Sequence, residues 1–147
     1  MTEAWPDLAG RLSGGRHFLP VRVYYEDTDV GGVVYHANYL RYCERGRTDL
    51  LRMLGIRQSA LEDLGFVVRR MECEFLRPGR LDDLLVVETS CSAVMGARLT
   101  LQQQVLRSGE VLFSAAVTVA LIDGRGRPRR LPADMLARLK SLAESNL

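Results

Sequence analysis

Hydrophobic and polar positions repeat with two periods along this chain, and each period predicts one kind of element. From residue 38 to 54, apolar side chains such as Tyr39 and Leu50 recur every three to four positions, while charged residues fill the opposite face. This spacing predicts one amphipathic helix of about five turns. Gly46 lies on the apolar face, where glycine costs about 1 kcal/mol relative to alanine. We therefore expect the helix backbone to approach another element closely at Gly46.

Between residues 66 and 122 the pattern changes to the two-residue alternation of β-strands. It predicts strands at 66–76, 84–94, 98–106 and 111–122, separated by glycine-containing breaks. Because these strands follow one another closely, antiparallel meander connections are favoured. An earlier strand is predicted from Pro20 in VRVYYED, since proline is tolerated at a strand start. A terminal helix is predicted after Pro132.

The order of these elements predicts an α+β fold. A single long helix with one apolar stripe must be covered, and a sheet of about five antiparallel strands can wrap around it. The length of 147 residues and the hydrophobic content of 47% suit a single domain. Residues 1–19 show no sustained period, so we expect an N-terminal arm followed by one domain over residues 20–147.

Composition excludes several classes of protein. No apolar run reaches the roughly 20 residues of a membrane span, and the start of the chain lacks the basic and apolar regions of a signal peptide, so we expect a cytoplasmic protein. Scattered cysteines and only two histidines argue against disulfides and a structural metal site. A net charge of +2 gives no strong field for nucleic acid. The nineteen arginines and one lysine suit phosphate recognition, or reflect genomic base composition.

Candidate chemistry lies in VYYEDTDVGGVVYHANYLRY, residues 23–42. In strand geometry Asp27 and Asp29 project to the same side. A glycine pair then allows a tight turn, and the predicted helix points free N–H groups back toward it, with His36 at its start. A carbonyl placed there would meet oxyanion-hole-like donors beside a carboxylate. Aspartates before a glycine turn are also ordinary turn formers, so the residues alone leave both interpretations open.

The segments YYEDTDVGGVVYHANYLRYCERGRTDLL and FVVRRMECEFLRPGRLDDLLVVET resemble hotdog-fold acyl-CoA thioesterases of the 4-hydroxybenzoyl-CoA thioesterase type. The resemblance is strongest to the YbgC-like subgroup, which is associated with the Tol-Pal envelope system. It runs from about Pro20 to the terminal helix. It implies a five-stranded sheet wrapped around the long helix, and dimers with active sites at the interface that commonly pair into homotetramers.

The resemblance also implies roles for individual residues. Asp29 would be the catalytic carboxylate, acting as nucleophile on the thioester or as general base for water. The backbone N–H at His36 would polarise the carbonyl, and the His36 side chain would position substrate or water. Substrate contacts are expected at Gly32, Val33 and Tyr35, and also at Asp27, which otherwise supports the loop. The reaction needs no metal and no cofactor.

Phosphates of coenzyme A would require cationic partners. Arginines that could supply them occur in three clusters, although surface charge is the simpler interpretation of each: Arg69 and Arg70; Arg77 and Arg80; and the RGRPRR segment, Arg125 to Arg130.

Two other functions are compatible with the same fold. One is a scaffold that engages acyl carrier protein or lipid-synthesis enzymes, with weak hydrolysis; the retained Asp29 and His36 argue against it. The other is a hotdog dehydratase or hydratase, which typically has fewer than the seven positions between Asp29 and His36. The first expectation is therefore hydrolysis of short-chain aliphatic or aromatic acyl-CoA.

Overall fold

The computed structural model describes residues 4–57 and 61–146, and within these ranges six antiparallel strands form one sheet in the order β1-β2-β4-β5-β6-β3. In chain order the elements are β1 (Arg11–Ser13), β2 (Arg16–Arg22), α1 (His36–Met53), β3 (Gly65–Phe75), β4 (Leu84–Met95), β5 (Arg98–Arg107), β6 (Glu110–Ile122) and α2 (Ala133–Ser145). The predicted α+β class, the long helix and the hotdog arrangement are confirmed.

The start of the sheet differs from the prediction. The structure has six strands in its described part rather than five, because the chain enters the sheet at Arg11 and not at Pro20. In β2 the side chains of His17, Leu19 and Val21 are buried and alternate with more exposed neighbours. The buried histidine hides this alternation in the sequence, and for that reason residues 11–19 were expected to lie in the arm.

Strand order also differs from a simple meander. Strands β4, β5 and β6 do pair in succession, but β3 pairs with β6, from Gly65 opposite Ile122 to Phe75 opposite Phe113. The neighbour of β4 on its other side is β2. Local periodicity defines the two faces of a strand and carries no information about its partner. As a result β3, eleven residues long, is an edge strand.

Helix α1 approaches the sheet closely at Gly46, as predicted. A Cβ atom added there would lie 2.9 Å from Val87 Cγ1. Beside it, the buried Gln103 side chain donates from Nε2 to the Cys43 carbonyl at 2.9 Å and to Thr89 Oγ1 at 3.0 Å. Arg47 Nη1 in turn donates to Gln103 Oε1 at 3.0 Å. These contacts fix the position of α1 on β4 and β5.

Helix α2 covers β4 with the buried side chains of Met135, Leu139 and Leu142. It also reaches the end of α1, where Arg138 Nη1 donates to the Leu54 carbonyl at 2.8 Å. In the described ranges, neither helix is long and apolar enough to cross a membrane.

Candidate active site at the amino end of α1

The segment between β2 and α1 forms a tight loop rather than the expected strand. Residues Tyr25–Asp27 make one turn of 3₁₀ helix, and the next residues fold back so that Thr28 bridges to Val34. Inside this loop the Asp29 N–H donates to the Val33 carbonyl at 2.9 Å. Gly32 has φ +77°, a conformation that residues with a side chain rarely adopt. The glycine pair therefore provides the turn that the sequence predicted.

Asp29 is exposed on this loop, and one of its carboxylate oxygens is held in place. Oδ1 accepts hydrogen bonds from the backbone N–H of Gly31 at 2.8 Å and, more weakly, of Val33 at 3.4 Å. Oδ2 has no hydrogen-bond partner among the described residues. One oxygen is thus oriented by the loop while the other remains available to a substrate or a water molecule.

Asp27 occupies a different environment, so the expectation that the two carboxylates share one side is wrong. Asp27 is only 5% exposed. Its Oδ2 accepts from the Tyr24 N–H and its Oδ1 from Asn38 Nδ2, both at 2.8 Å. Its carbonyl accepts from the Tyr35 N–H at 2.9 Å. Both carboxylate oxygens are engaged within the protein, which favours support of the loop over contact with substrate.

Asn38 was not recognised as part of this site from the sequence. Its side chain is buried on α1 and joins the loop to the helix through Asp27, while its Oδ1 accepts from Arg41 Nη1 at 3.2 Å. The available signal was a polar residue on the apolar stripe of the predicted helix, since a buried amide normally has a hydrogen-bond partner.

The amino end of α1 provides free hydrogen-bond donors next to the loop. His36 is the first helical residue, Tyr35 is the N-cap with an extended backbone, and no side chain of the described chain caps the helix. The His36 N–H has no acceptor among the described residues. Because a helix carries partial positive charge at its amino end, this N–H can bind a developing oxyanion.

Aromatic side chains surround this helix end. The His36 ring lies 4.5 Å from that of Tyr35 and 6.2 Å from that of Phe75, measured between centroids. Phe75 also contacts Tyr39 at 6.0 Å, and it remains 52% exposed at the end of β3. The sequence did not identify Phe75 as a site residue, because its proximity to His36 depends on strand order.

Two tyrosines on α1 lie under the site. Tyr39 Oη accepts a hydrogen bond from the Gly79 N–H at 2.8 Å, which ties the loop after β3 to the helix. The Tyr42 hydroxyl is fully buried and has no hydrogen-bond partner in the described ranges. Burial raises the pKa of both tyrosines, and the nearby Asp27 carboxylate raises that of Tyr42 further. Both therefore stay protonated near neutral pH and serve as packing residues.

The arginines expected to bind substrate are spread along β3. Arg77 follows Phe75 closely and lies 3.6 Å from a carboxylate oxygen of Glu110. Arg69 and Arg70 are exposed in the middle of β3, and Arg70 pairs with Glu72. At about 3.3 Å per residue, Arg70 is some 17 Å from Phe75 along the strand. Within one protomer Arg80 also lies beside the site, because it forms an isolated bridge with Val33, whereas Arg69 and Arg70 lie farther along β3.

Two of the concave surfaces near α1 bear on the site. Asp29 and Gly32 help to line an open depression of about 410 Å³ together with Tyr25 and Leu81. A more enclosed cavity of about 150 Å³ lies between β3 and the middle of α1, around Arg47 and Leu51. With a rise of 1.5 Å per residue, Arg47 is roughly 16 Å from His36 along the helix, so the two are separate. Within the described ranges, no cluster of three or more His, Cys, Asp or Glu side chains could hold a metal ion.

The chain resembles known proteins in both sequence and fold. Residues 31–114 match the model of the thioesterase superfamily. The chain is 45% identical to the acyl-CoA thioesterase YbgC of Haemophilus influenzae over 86% of its own length and 95% of the relative. It is 44% identical to the acyl-CoA thioester hydrolase YbgC of Escherichia coli over 82% and 93% of the two chains. The crystal structure of a probable thioesterase from Bartonella henselae superimposes with a TM-score of 0.77 at 45% identity, covering 80% of this chain and 99% of that one.

Proposed function

Because the chain belongs to the thioesterase superfamily, we propose that it hydrolyses the thioester of short-chain or aromatic acyl-CoA at the amino end of α1. The general activity, acyl-CoA thioester hydrolysis, follows from its close relatives. The observation that supports this particular site is Asp29: an exposed carboxylate with one oxygen held by backbone N–H groups and the other free, beside an uncapped helix end.

The proposed reaction uses two groups of this chain. The His36 N–H donates to the thioester carbonyl oxygen and stabilises the negative charge that develops on it. The free Oδ2 of Asp29 then either attacks the carbonyl carbon, giving a mixed anhydride that water hydrolyses, or removes a proton from the attacking water. In both cases the carbon–sulfur bond breaks and coenzyme A leaves as a thiolate. The His36 side chain positions the substrate or water.

Preference for a short or aromatic acyl group is supported by the aromatic surface beside the helix end. Tyr35 and Phe75 are about half exposed there and flank the His36 ring. Flat, rigid surfaces of this kind bind aromatic rings by stacking or edge contacts worth about 0.5–1.5 kcal/mol beyond area burial. The resemblance implies further substrate contacts at Gly32 and Val33.

A second copy of the chain is the expected partner. The edge strand β3 exposes unpaired backbone groups together with Val67, Val68 and Phe75. A long exposed edge of this kind is a template for pairing with another strand. We propose a homodimer through β3, which can pair further into a tetramer, and a cytoplasmic location where acyl-CoA is available. Acyl carrier protein and lipid-synthesis enzymes remain the partners of the scaffold alternative.

The proposal is tested by following thiol release from a panel of short-chain, long-chain and aromatic acyl-CoAs. Asp29→Asn should lower kcat by at least about 100-fold, which corresponds to about 2.7 kcal/mol in the barrier. The matched control is Glu26→Gln, which removes an exposed negative charge three residues away and should keep wild-type turnover.

Equal kcat for Asp29→Asn and the wild type would disprove the catalytic role of Asp29. A folded wild-type protein without turnover on the whole panel, but retained by acyl carrier protein, would instead favour the scaffold function. Hydrolysis of long-chain substrates alone would contradict the assignment of the acyl group.

A further inference from the structure

The loop that carries Asp29, residues 28–34, lies against the connection between β3 and β4, residues 76–83. We call these segments the Asp29 loop and the β3–β4 connection. The Val34 N–H donates to the Gly79 carbonyl at 2.8 Å. Two more contacts continue this antiparallel pairing: the bridge of Val33 with Arg80, and the bond from the Leu81 N–H to the Gly32 carbonyl at 3.4 Å. The position of the Asp29 loop therefore follows that of the β3–β4 connection.

A single side chain, that of Arg107 at the end of β5, holds both ends of the β3–β4 connection. Its Nη1 donates to the Pro78 carbonyl at 3.2 Å and to Asp83 Oδ2 at 2.8 Å. These two acceptors enclose residues 79–81, which contact the Asp29 loop. The Nη2 atom of the same guanidinium donates to Glu110 Oε1 at 3.0 Å, and Glu110 lies opposite Arg107 across the β5–β6 hairpin. Arg107 therefore ties the connection to the sheet.

The turn closed by Asp83 has an uncommon backbone conformation. Asp82 has φ +71°, in the left-handed region that few residues with a side chain adopt. Around it, Asp83 Oδ2 accepts from the Arg80 N–H at 2.8 Å, and the Asp83 N–H donates to the Arg80 carbonyl at 3.1 Å. Burial alone would raise the pKa of Asp83, but the hydrogen bonds from Arg107 and the Arg80 N–H outweigh it and lower that pKa. The carboxylate is therefore charged near neutral pH.

We propose that Arg107 is a positioning residue for the thioester hydrolysis proposed at Asp29. It holds the β3–β4 connection against the sheet, and the connection in turn holds the Asp29 loop beside the amino end of α1. The inference rests on the proposed function. Arg107 and Asp83 are 30% and 25% exposed, and a pair with this exposure contributes little to overall stability. A misplacement of about 1 Å at a reacting group, by contrast, can cost on the order of 100-fold in rate. Arg107 should therefore matter more for turnover than for folding.

The first test measures thiol release by Arg107→Met and Arg107→Lys at temperatures well below the Tm. Arg107→Met should lower kcat by about 10- to 100-fold. Its KM should change by less than about threefold, because Arg107 acts through the backbone and not on the substrate. Arg107→Lys keeps the charge but lacks the planar fork that reaches two acceptors, so its kcat should be intermediate. The Tm of both variants should decrease by no more than about 4 °C.

The matched control is Arg52→Met, which removes another ion-paired arginine. Arg52 Nη1 lies 2.6 Å from Asp49 Oδ1, and at 1.5 Å per residue it is about 24 Å from His36 along α1. This variant should keep the kcat of the wild type. A wild-type kcat in Arg107→Met, or an equal decrease in the control, would overturn the proposal. A change in KM alone would place Arg107 in substrate binding and would overturn it as well.

The second test asks whether Arg107 acts through its partner in the connection. Asp83→Asn and the double variant with Arg107→Met are assayed beside the single variants. Residues that act as one unit are not additive, so kcat of the double variant should be close to that of Arg107→Met. Effects of the two substitutions that simply multiply would show that Arg107 and Asp83 act independently, contrary to the proposal.

The third test locates the displacement by amide hydrogen exchange. The Val34 N–H, which is bonded to the Gly79 carbonyl, should exchange about tenfold or more faster in Arg107→Met and at the wild-type rate in Arg52→Met. Unchanged protection in Arg107→Met would refute the positional link even if kcat decreased. Absence of turnover by the wild type on the whole panel would instead refute the proposed function, while the exchange rates would still decide whether Arg107 holds the Asp29 loop.

Discussion

The hydrogen bond between Asn38 and Asp27 is the best place to test how the loop holds its position. Both side chains are nearly fully buried, and Asn38 Nδ2 donates to Asp27 Oδ1 at 2.8 Å. Asn38→Ala leaves a buried carboxylate oxygen without a donor. An unpaired buried group of this kind costs about 1–3 kcal/mol, with charged groups at the upper end. For a chain of this length each kcal/mol lowers Tm by roughly 2–4 °C, so we expect a decrease of roughly 6–12 °C.

Activity should decrease for a reason separate from stability. The Asp27 carbonyl accepts from the Tyr35 N–H directly before His36, and Asp29 follows two residues later. Loosening Asp27 therefore shifts the carboxylate relative to the helix end, and a misplacement of about 1 Å can cost on the order of 100-fold. Measured at temperatures well below the Tm, kcat of Asn38→Ala should decrease. KM should change little, because the buried Asn38 side chain does not contact the substrate.

A reciprocal exchange separates this hydrogen bond from general packing. In the double variant Asp27→Asn with Asn38→Asp, the amide at position 27 accepts from the Tyr24 N–H and donates to the new carboxylate, which still accepts from Arg41. We expect urea unfolding and thiol-release assays to show recovery of most of the stability and kcat lost in Asn38→Asp, where two carboxylates would meet. A double variant no better than that single variant, or a fully stable and active Asn38→Ala, would refute the role of the bond.

Two further predictions concern the core. Gly46→Ala should destabilise the fold by about 1–3 kcal/mol in urea unfolding, because the new Cβ would lie 2.9 Å from Val87 Cγ1; a wild-type midpoint would show that α1 does not dock there. Burial lowers the pKa of His17 below its ordinary 6.5, and its Nε2 lies 2.7 Å from the Ala9 carbonyl. The unfolded chain then binds a proton that the folded chain does not, so the free energy of unfolding should decrease as the pH falls below about 6.5 and level off below the folded pKa. His17→Gln should flatten this dependence of stability on pH. An unchanged dependence in the variant would contradict the role of His17.

Local features of the fold were predictable wherever one physical signal dominated. The helical period gave α1 to within two residues at each end, and the alternation gave strands β3 to β6 to within one. The partner of β3 was not predictable, because its pairing with β6 depends on contacts between residues about fifty positions apart. The strand β2 was misplaced because His17 breaks the apolar alternation although it is buried.

The candidate site was predicted in its order of parts but not in its geometry. A carboxylate, a glycine turn and a helix end were visible in residues 29–36, and the resemblance selected Asp29. The sequence could not show that Asp27 turns inward, since a run of strand-forming residues such as VRVYY does not reveal that a 3₁₀ turn begins at its last residue, Tyr25. Phe75 was equally hidden, because only the fold brings the end of β3 to His36.

The chemistry proposed for the amino end of α1 would also depend on packing ten residues further along the helix. Gly46 and Gln103 determine how closely α1 lies on the sheet, and His36 is the first residue of the same helix. A helix moves largely as a rigid body, so a larger residue at position 46 would displace the His36 N–H together with the helix. The loop, by contrast, is also bonded to the sheet side, where the Val34 N–H reaches the Gly79 carbonyl at 2.8 Å. Lifting the helix would therefore separate the proposed oxyanion donor from Asp29. If the proposed site is right, Gly46→Ala should lower kcat by more than its loss of folded protein explains.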